Sequence, residues 1–309
     1  MFFEIAGIEV HPLIPPLVAF LISLLTSMGG VSGAFLILPF QMTVLGYTAP
    51  SVSATNQLFN IVAIPSGVIR YIREGRMVWP LTWIVIIGTL PGVFIGALIR
   101  INYLPDPTHF KVFAGIVLAY IAARMIADIA GKRKSAKPDS EKKFNELVRR
   151  SKKSGEALPR TKIIKFSIRT LIYEFFGEEY SVPVLMMTFI SFVVGILGGI
   201  YGVGGGAIIA PIFVAFFGLP VYTIAGAALM GTFVTSIAGV GFYQFLSAYY
   251  PGMSIAPDWL LGILFGIGGM AGMYAGAYLQ KYVPAKAIKI ILAAAIFFVA
   301  GRYILQIFF

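Results

Sequence analysis

The sequence predicts an all-α polytopic membrane protein made of two homologous four-segment halves. Three observations carry that prediction. Long apolar runs fill most of the 309 residues, and no charge occurs from Ser181 to Tyr250. The basic residues are crowded instead: 14 of the 24 Lys and Arg lie between Lys132 and Arg169. The pattern of glycines and prolines before that cluster then recurs after it. Only 12% of the chain is charged, about half the share of a soluble domain. The formal +11 charge therefore reads as a positive-inside bias beside membrane segments rather than a nucleic-acid footprint.

Taken in order, the first apolar run is Pro12 to Gly46, interrupted at Met28-Gly29-Gly30-Val31-Ser32-Gly33. Its 35 residues are too few for two spans of about 20 residues each with a connection, so a broken, re-entrant helical hairpin is expected. Ordinary spans follow at Ser51 to Tyr71, Leu81 to Arg100 and Phe110 to Ile129. This makes residues 12–130 a first transmembrane repeat. Residues 131–181 form a basic cytoplasmic linker. Its later part has β-branched and aromatic residues on both sides of Gly177, which predicts a short β-hairpin at the membrane surface, with an amphipathic interfacial helix as the alternative. Residues 182–309 form the second repeat, with a broken run at Val182 to Gly218 and spans at Val221 to Tyr249, Trp259 to Leu279 and Ala287 to Phe308.

The duplication can be checked by offset. A shift of 172 places Gly30, Gly33, Pro39 and Gly46 on Gly202, Gly205, Pro211 and Gly218, and Tyr71 on Tyr243. A shift of 180 places Gly88, Gly92 and Gly96 on Gly268, Gly272 and Gly276. Small residues at four-residue spacing are helix-packing ladders. Charge placement favours inverted halves. Arg70, Arg73 and Arg76 follow the second run of the first half, whereas Lys281, Lys286 and Lys289 follow the third run of the second half. If each broken run returns to its starting side, both groups join the linker on the inside. Arg100 and Lys111 are the exceptions to that arrangement.

The glycine breaks are the first candidate site. A helix broken inside a membrane must face protein or a cavity, because its freed backbone groups need partners. A half-helix starting there presents free N–H groups and a positive dipole end, an anion site without a charged side chain. Close helix packing is the bland alternative. The residues concerned are Gly202, Gly204, Gly205 and Gly206 in the second half and Gly30, Ser32 and Gly33 in the first. Asn56, Gln57 and Asn60 form the strongest polar cluster in an apolar run. Such residues line a substrate path or bond helices together. Their repeat mates Ala228, Leu229 and Thr232 are mostly apolar, so any site is asymmetric, with Thr232 and Thr235 supplying hydroxyls. The chain has no Cys and only two His, His11 and His109, so no typical zinc centre is expected and no cofactor is implied. No Asp or Glu lies deep in an apolar run. If transport draws on the proton gradient, the proton travels with the substrate or uses an acid at a helix end.

Gly-Val-Gly-Gly-Gly-Ala-Ile-Ile-Ala-Pro at 202–211 and Gly-Val-Ser-Gly-Ala-Phe-Leu-Ile-Leu-Pro at 30–39, within this four-plus-four layout, resemble the sulfite exporter TauE/SafE family of permeases. In the first copy Ser32 and Ala34 stand where the family has glycines. The resemblance implies a multi-pass protein of the plasma (inner) membrane. It also implies a small anionic substrate of the sulfite or organosulfur kind, moved mostly outward. The leading expectation is thus a secondary transporter working by alternating access between two inverted repeats, partnered by its anion and the lipid bilayer. No Gly-x-x-x-x-Gly-Lys-Ser/Thr loop is present to use ATP. An anion channel or a structural membrane partner remains the alternative. A membrane enzyme lacks a catalytic constellation in this sequence. The sequence sets no oligomeric state.

Overall fold

The computed structural model describes residues 1–28, 32–73, 77–129, 161–175, 177–219, 221–279 and 285–306. A two-residue strand pair opens the chain, β1 (Phe2–Phe3) antiparallel to β2 (Ile8–Glu9). The first half continues as α1 (Ile14–Met28), α2 (Ala34–Thr43), α3 (Ser51–Ala63), α4 (Pro65–Arg73), α5 (Trp79–Asn102) and α6 (Pro107–Ile129). A surface sheet follows, β3 (Lys162–Phe166), β4 (Thr170–Phe175) and β5 (Glu178–Pro183). The second half is α7 (Val184–Tyr201), α8 (Gly206–Phe217), α9 (Val221–Leu246), α10 (Trp259–Leu279) and α11 (Ala285–Leu305).

Both long apolar runs are broken where the glycines fall. At 15 residues, α1 is about 22 Å long, short of the roughly 30 Å hydrocarbon layer. Among the described residues, five helices are long and apolar enough to cross a membrane: parts of α5, α6, α7, α9 and α10. A third break lies between α3 and α4, where Pro65 has no N–H to continue the ladder. The predicted hairpin is present as β4–β5 with Gly177 at φ +77° beside its turn, and β3 adds a third antiparallel strand. The interfacial-helix alternative for this segment is therefore replaced by a sheet. Leu171, Tyr173 and Phe175 point to its buried face, and the Tyr173 hydroxyl meets Thr223 Oγ1 at 3.0 Å, tying the sheet to α9.

Burial is inverted relative to a soluble protein. Phe189, Phe297 and Phe298 are exposed, whereas Ser53, Thr55, Asn56, Gln57, Asn60, Thr235 and Ser236 are fully buried. An apolar exterior over a polar centre is what hydrocarbon selects.

The two halves interlock by exchanging partners. α5 packs on α7, and its repeat mate α10 packs on α1; likewise α9 packs on α5 while α3 packs on α10, and α6 packs on its own mate α11. The glycine ladders make the closest of these contacts. A Cβ on Gly92 would lie 2.8 Å from the Ile196 nitrogen, and one on Gly96 would lie 2.9 Å from Gly199 Cα. Gly268 and Gly272 meet Pro16 and Phe20 in the same manner. Chain directions follow from these pairs. Gly88 lies beside Ser191 and Gly96 beside Gly199, so α5 and α7 are parallel. Gly262 lies beside Leu58 and Gly266 beside Val62, so α3 and α10 are parallel. In contrast Gln57 lies beside Gly239, Gly67 beside Leu229 and Tyr71 beside Gly226. The segment α3–α4 and its repeat mate α9 therefore run antiparallel.

Candidate functional site

The two breaks meet at the centre of the molecule, against one face of α3. α7 ends at Gly202, which takes the left-handed conformation (φ +78°) and donates its N–H to Gly198 O at 2.9 Å. Val203 N also donates to Gly198 O, at 3.1 Å. This doubled bonding to one carbonyl closes the helix. Gly204 is left-handed too, at φ +59°. Gly205 then supplies the carbonyl that accepts Ile208 N and Ile209 N, and α8 starts at Gly206. The N–H groups that precede Ile208 have no partner within that helix. Glycine is required by geometry at Gly202, where a Cβ would sit 2.7 Å from Ser53 Cα in a backbone conformation that L-residues avoid.

The first break differs in detail. Gly30 lies outside the described residues. Gly33 caps α2 in an ordinary right-handed conformation (φ −67°). Ser32 Oγ accepts Ala34 N and donates to Asn60 Oδ1, both at 3.4 Å.

α3 binds the breaks together. Asn56 Nδ2 donates to Ala34 O and to Gly202 O, each at 3.0 Å, so one amide spans both breaks. Asn60 Nδ2 donates to Val203 O at 3.1 Å. Residues 53, 56 and 60 share a helix face, and Ser53 Oγ completes the row by donating to Ile200 O at 2.9 Å. Tyr201 OH crosses the other way to Phe35 O at 2.8 Å, and Tyr243 OH donates to Gly199 O at 3.1 Å. The Gly202 and Val203 carbonyls of the second break, and the carbonyls of Ala34, Phe35, Gly199 and Ile200 in the flanking helix ends, thus have side-chain donors, as burial demands.

Not every predicted residue joins this cluster equally. Thr232 lies within reach of Gly204, where a Cβ would meet its Cγ2 at 2.7 Å. Its hydroxyl donates within its own helix to Ala228 O at 2.9 Å. Thr235 also donates backwards, to Gly231 O at 2.7 Å, so neither hydroxyl proton is directed at the breaks. Gln57 turns from the Asn56–Asn60 face to Gly239 on α9. It is fully buried, and neither its Oε1 nor its Nε2 has a hydrogen-bond partner. Asn56 Oδ1 and Ser236 Oγ are likewise buried and unpaired. An unpaired buried amide is costly, so Gln57 is the polar group of this region with the most to gain from a ligand.

Ser53, Tyr201 and Tyr243 were not among the expected site residues. Ser53 was visible as the first member of the 53–56–60 row, and Tyr201 as the one polar side chain inside the glycine motif. Tyr243 carried only its repeat match to Tyr71.

With two broken helices converging on a buried, neutral polar core, comparison with known proteins becomes decisive. The family described as "Sulfite exporter TauE/SafE" matches residues 16–303. The chain belongs to that family. A TauE/SafE chain of this layout is a multi-pass integral membrane transporter rather than an enzyme. Among curated relatives, "Probable membrane transporter protein YunE" of Bacillus subtilis (strain 168) is 24% identical over 289 residues, 91% of this chain and 92% of its own length. "Probable membrane transporter protein YdhB" of the same organism is 25% identical over 124 residues, 40% of this chain and 47% of its own. No solved structure matches.

Proposed function

We propose that this TauE/SafE protein is a secondary transporter, an exporter of a small anion of the sulfite or organosulfur class, working by alternating access. Residues 12–130 and 182–309 are its two inverted repeats, joined by the linker 131–181. The observation that supports inversion is the antiparallel packing of α3–α4 against its repeat mate α9. A twofold axis along the helices would make those mates parallel; one perpendicular to them makes them antiparallel. The exchanged packing of α5 on α7 and α10 on α1 accords with such an axis.

The observation that carries the anion assignment is the pair of half-helices, α2 and α8, that begin at the buried breaks. Their N-terminal ends contribute partial positive charge where no Lys or Arg is placed. In this reading Gly204, Gly205 and Gly206, with Ser32 and Gly33, receive the anion. Gln57 supplies an amide, Asn56 and Asn60 hold the two breaks in register, and Gly202 makes the turn. Thr232 and Thr235 line the side contributed by α9. Rocking of one half against the other exposes the breaks to each side in turn. Among the described residues no cluster of His, Cys, Asp or Glu suited to a metal occurs, and the reading draws on none.

Proteoliposomes test it directly. Saturable uptake and counterflow of sulfite or sulfoacetate are expected. Gly205→Leu should abolish that flux while the protein still inserts, because the nearest atoms to a Cβ there are side-chain carbons rather than backbone, Thr89 Cγ2 at 3.0 Å, Ile209 Cδ1 at 3.2 Å and Val194 Cγ1 at 3.5 Å. Normal flux in Gly205→Leu would remove the breaks from the mechanism. For inversion, a single cysteine replacing Tyr250 in this cysteine-free chain should react with an impermeant reagent from outside the cell. Reaction from the cytoplasmic side would refute it.

A further inference from the structure

Arg100, near the end of α5, is fully buried; among the described residues the other buried charged side chain is Asp258. The two do not neutralise each other. Asp258 caps α10 by accepting Leu261 N at 3.0 Å and also accepts Ala6 N at 3.3 Å, and no described carboxylate pairs with the guanidinium. Arg100 instead donates Nη1 to Leu104 O and Nη2 to Thr48 O (3.3 Å), lies 3.8 Å over the Phe110 ring, and leaves Nε without an acceptor. Two neutral carbonyls and a ring face are thin compensation for a desolvated cation. A neutral donor would clamp those carbonyls without that cost, so the charge itself needs a partner.

Arg100 also connects to the breaks. Tyr47 and Tyr243 lie within its electrostatic reach. Tyr243 OH bonds Gly199 O, and Ser53, on the same path, bonds Ile200 O. Gly202 is two residues further on. Tyr243 thus stands between the surroundings of the guanidinium and the carbonyls that lead into the second break.

We propose that Arg100 is the counter-charge for the transported anion at the end of the pathway remote from the linker, and that it takes the anion by exchanging the Thr48 and Leu104 carbonyls for two of the anion's oxygens. The ligand class is a small oxyanion, sulfite, sulfonate or carboxylate, whose paired oxygens fit the guanidinium fork. Because Thr48 lies in the connection between α2 and α3, this exchange also frees that loop from α5, so anion arrival unlatches this end. The inference rests on the transport reading above.

The test uses the full chain in proteoliposomes with sulfite and sulfoacetate as probes. Arg100→Gln should raise KM by about 10- to 100-fold, the worth of a charge-assisted pair. Arg100→Lys, a point charge without the fork, should raise it by roughly 10-fold. In a Thr48→Cys background, sulfoacetate, which unlike sulfite does not consume the reagent, should accelerate labelling by an impermeant maleimide, and Arg100→Gln should remove that acceleration. An unchanged KM in Arg100→Gln, or sulfoacetate-dependent labelling that persists in it, overturns the proposal. If Arg100→Gln does not insert, an unchanged KM in Arg100→Lys overturns it equally. Flux that survives in these variants leaves the transport reading intact, whereas the absence of saturable flux in the unaltered chain removes that reading itself.

Discussion

The two breaks occupy equivalent places in the two repeats, yet they are built differently. The second is shaped by its backbone: Gly202 and Gly204 are both left-handed, and the turn presses on Ser53 and Thr232. The described part of the first is shaped by side chains: Gly33 is right-handed, and Ser32 is held by Asn60 and Ala34. The amides that hold both breaks come from the first half alone, because Asn56 and Asn60 have Ala228 and Thr232 as repeat mates. The second half carries the left-handed glycine backbone and the first carries the clamp. The two halves can divide such labour because α3 lies against both breaks, with Asn56 bonded to Ala34 O and Gly202 O.

The largest expected effect tests the backbone side of this contrast. Gly202→Ala must place an L-residue at φ +78° with its Cβ 2.7 Å from Ser53 Cα. The left-handed conformation costs about 1–2 kcal/mol and overpacking a further 1–3 kcal/mol or so. Gly33→Ala keeps an allowed φ and meets chiefly the Ser23 hydroxyl, at 2.8 Å, so a loss below about 1.5 kcal/mol is expected. Equilibrium unfolding in mixed micelles reads both. Equal losses would erase the distinction between the breaks.

The clamp comes next in size. Asn56→Ala strands the buried Gly202 O and removes the second donor from Ala34 O, which α2 also satisfies from within the helix, whereas Asn60→Ala strands Val203 O alone. At about 1–3 kcal/mol for the unsatisfied carbonyl in each case and about 0.5–1.5 kcal/mol for the further bond that Asn56 loses, Asn56→Ala should be the more destabilising of the two in the same unfolding measurement. Asn56→Ala should also slow anion counterflow by at least about 10-fold, the consequence of misplacing a binding geometry. Were Asn60 the costlier of the two, the single amide bridging both breaks would not be what holds them together.

Much of this was legible in the sequence for a physical reason. Consecutive glycines in an apolar run are expensive and therefore conspicuous, and amides in hydrocarbon are equally so; Gly202–Gly206, Asn56 and Asn60 stood out on those grounds. The offsets that align the halves also predicted the matched breaks. The identity of packing partners was not legible. The ladder Gly88–Gly92–Gly96 announces a close neighbour but not that the neighbour is α7 of the other half. The role of Asn56 was open between substrate path and helix bonding until its donors were placed on two carbonyls. Gln57 lay in the same cluster, and only its rotation by one residue about the helix separates it from that clamp. Arg100 ends its apolar run and is an exception to the charge placement expected of inverted halves; that its side chain is fully buried was not legible. The β1–β2 pair has two residues per strand, too few for any alternation to register, and the run Ser51 to Tyr71, expected as one ordinary span, is broken at Pro65, which lacks the N–H a helix interior needs.

The smallest expected effect tests whether the first break can be returned towards the form of the second. Ser32→Gly restores the glycine found at the equivalent position, Gly204. The hydroxyl removed makes two contacts of 3.4 Å, at the long limit of useful hydrogen bonds, so their loss should cost less than about 1 kcal/mol. Asn60 keeps its bond to Val203 O, and Asn56 keeps both of its own, so the clamp survives the substitution. Counterflow of sulfite in Ser32→Gly should therefore stay within about threefold of the unaltered chain, a change of roughly 0.65 kcal/mol at most. A drop of 10-fold or more would mean that the Ser32 hydroxyl contacts the anion itself. The first break would then be a binding element in its own right, and the asymmetry between the repeats would lie in how each holds the anion rather than in which one supplies the clamp.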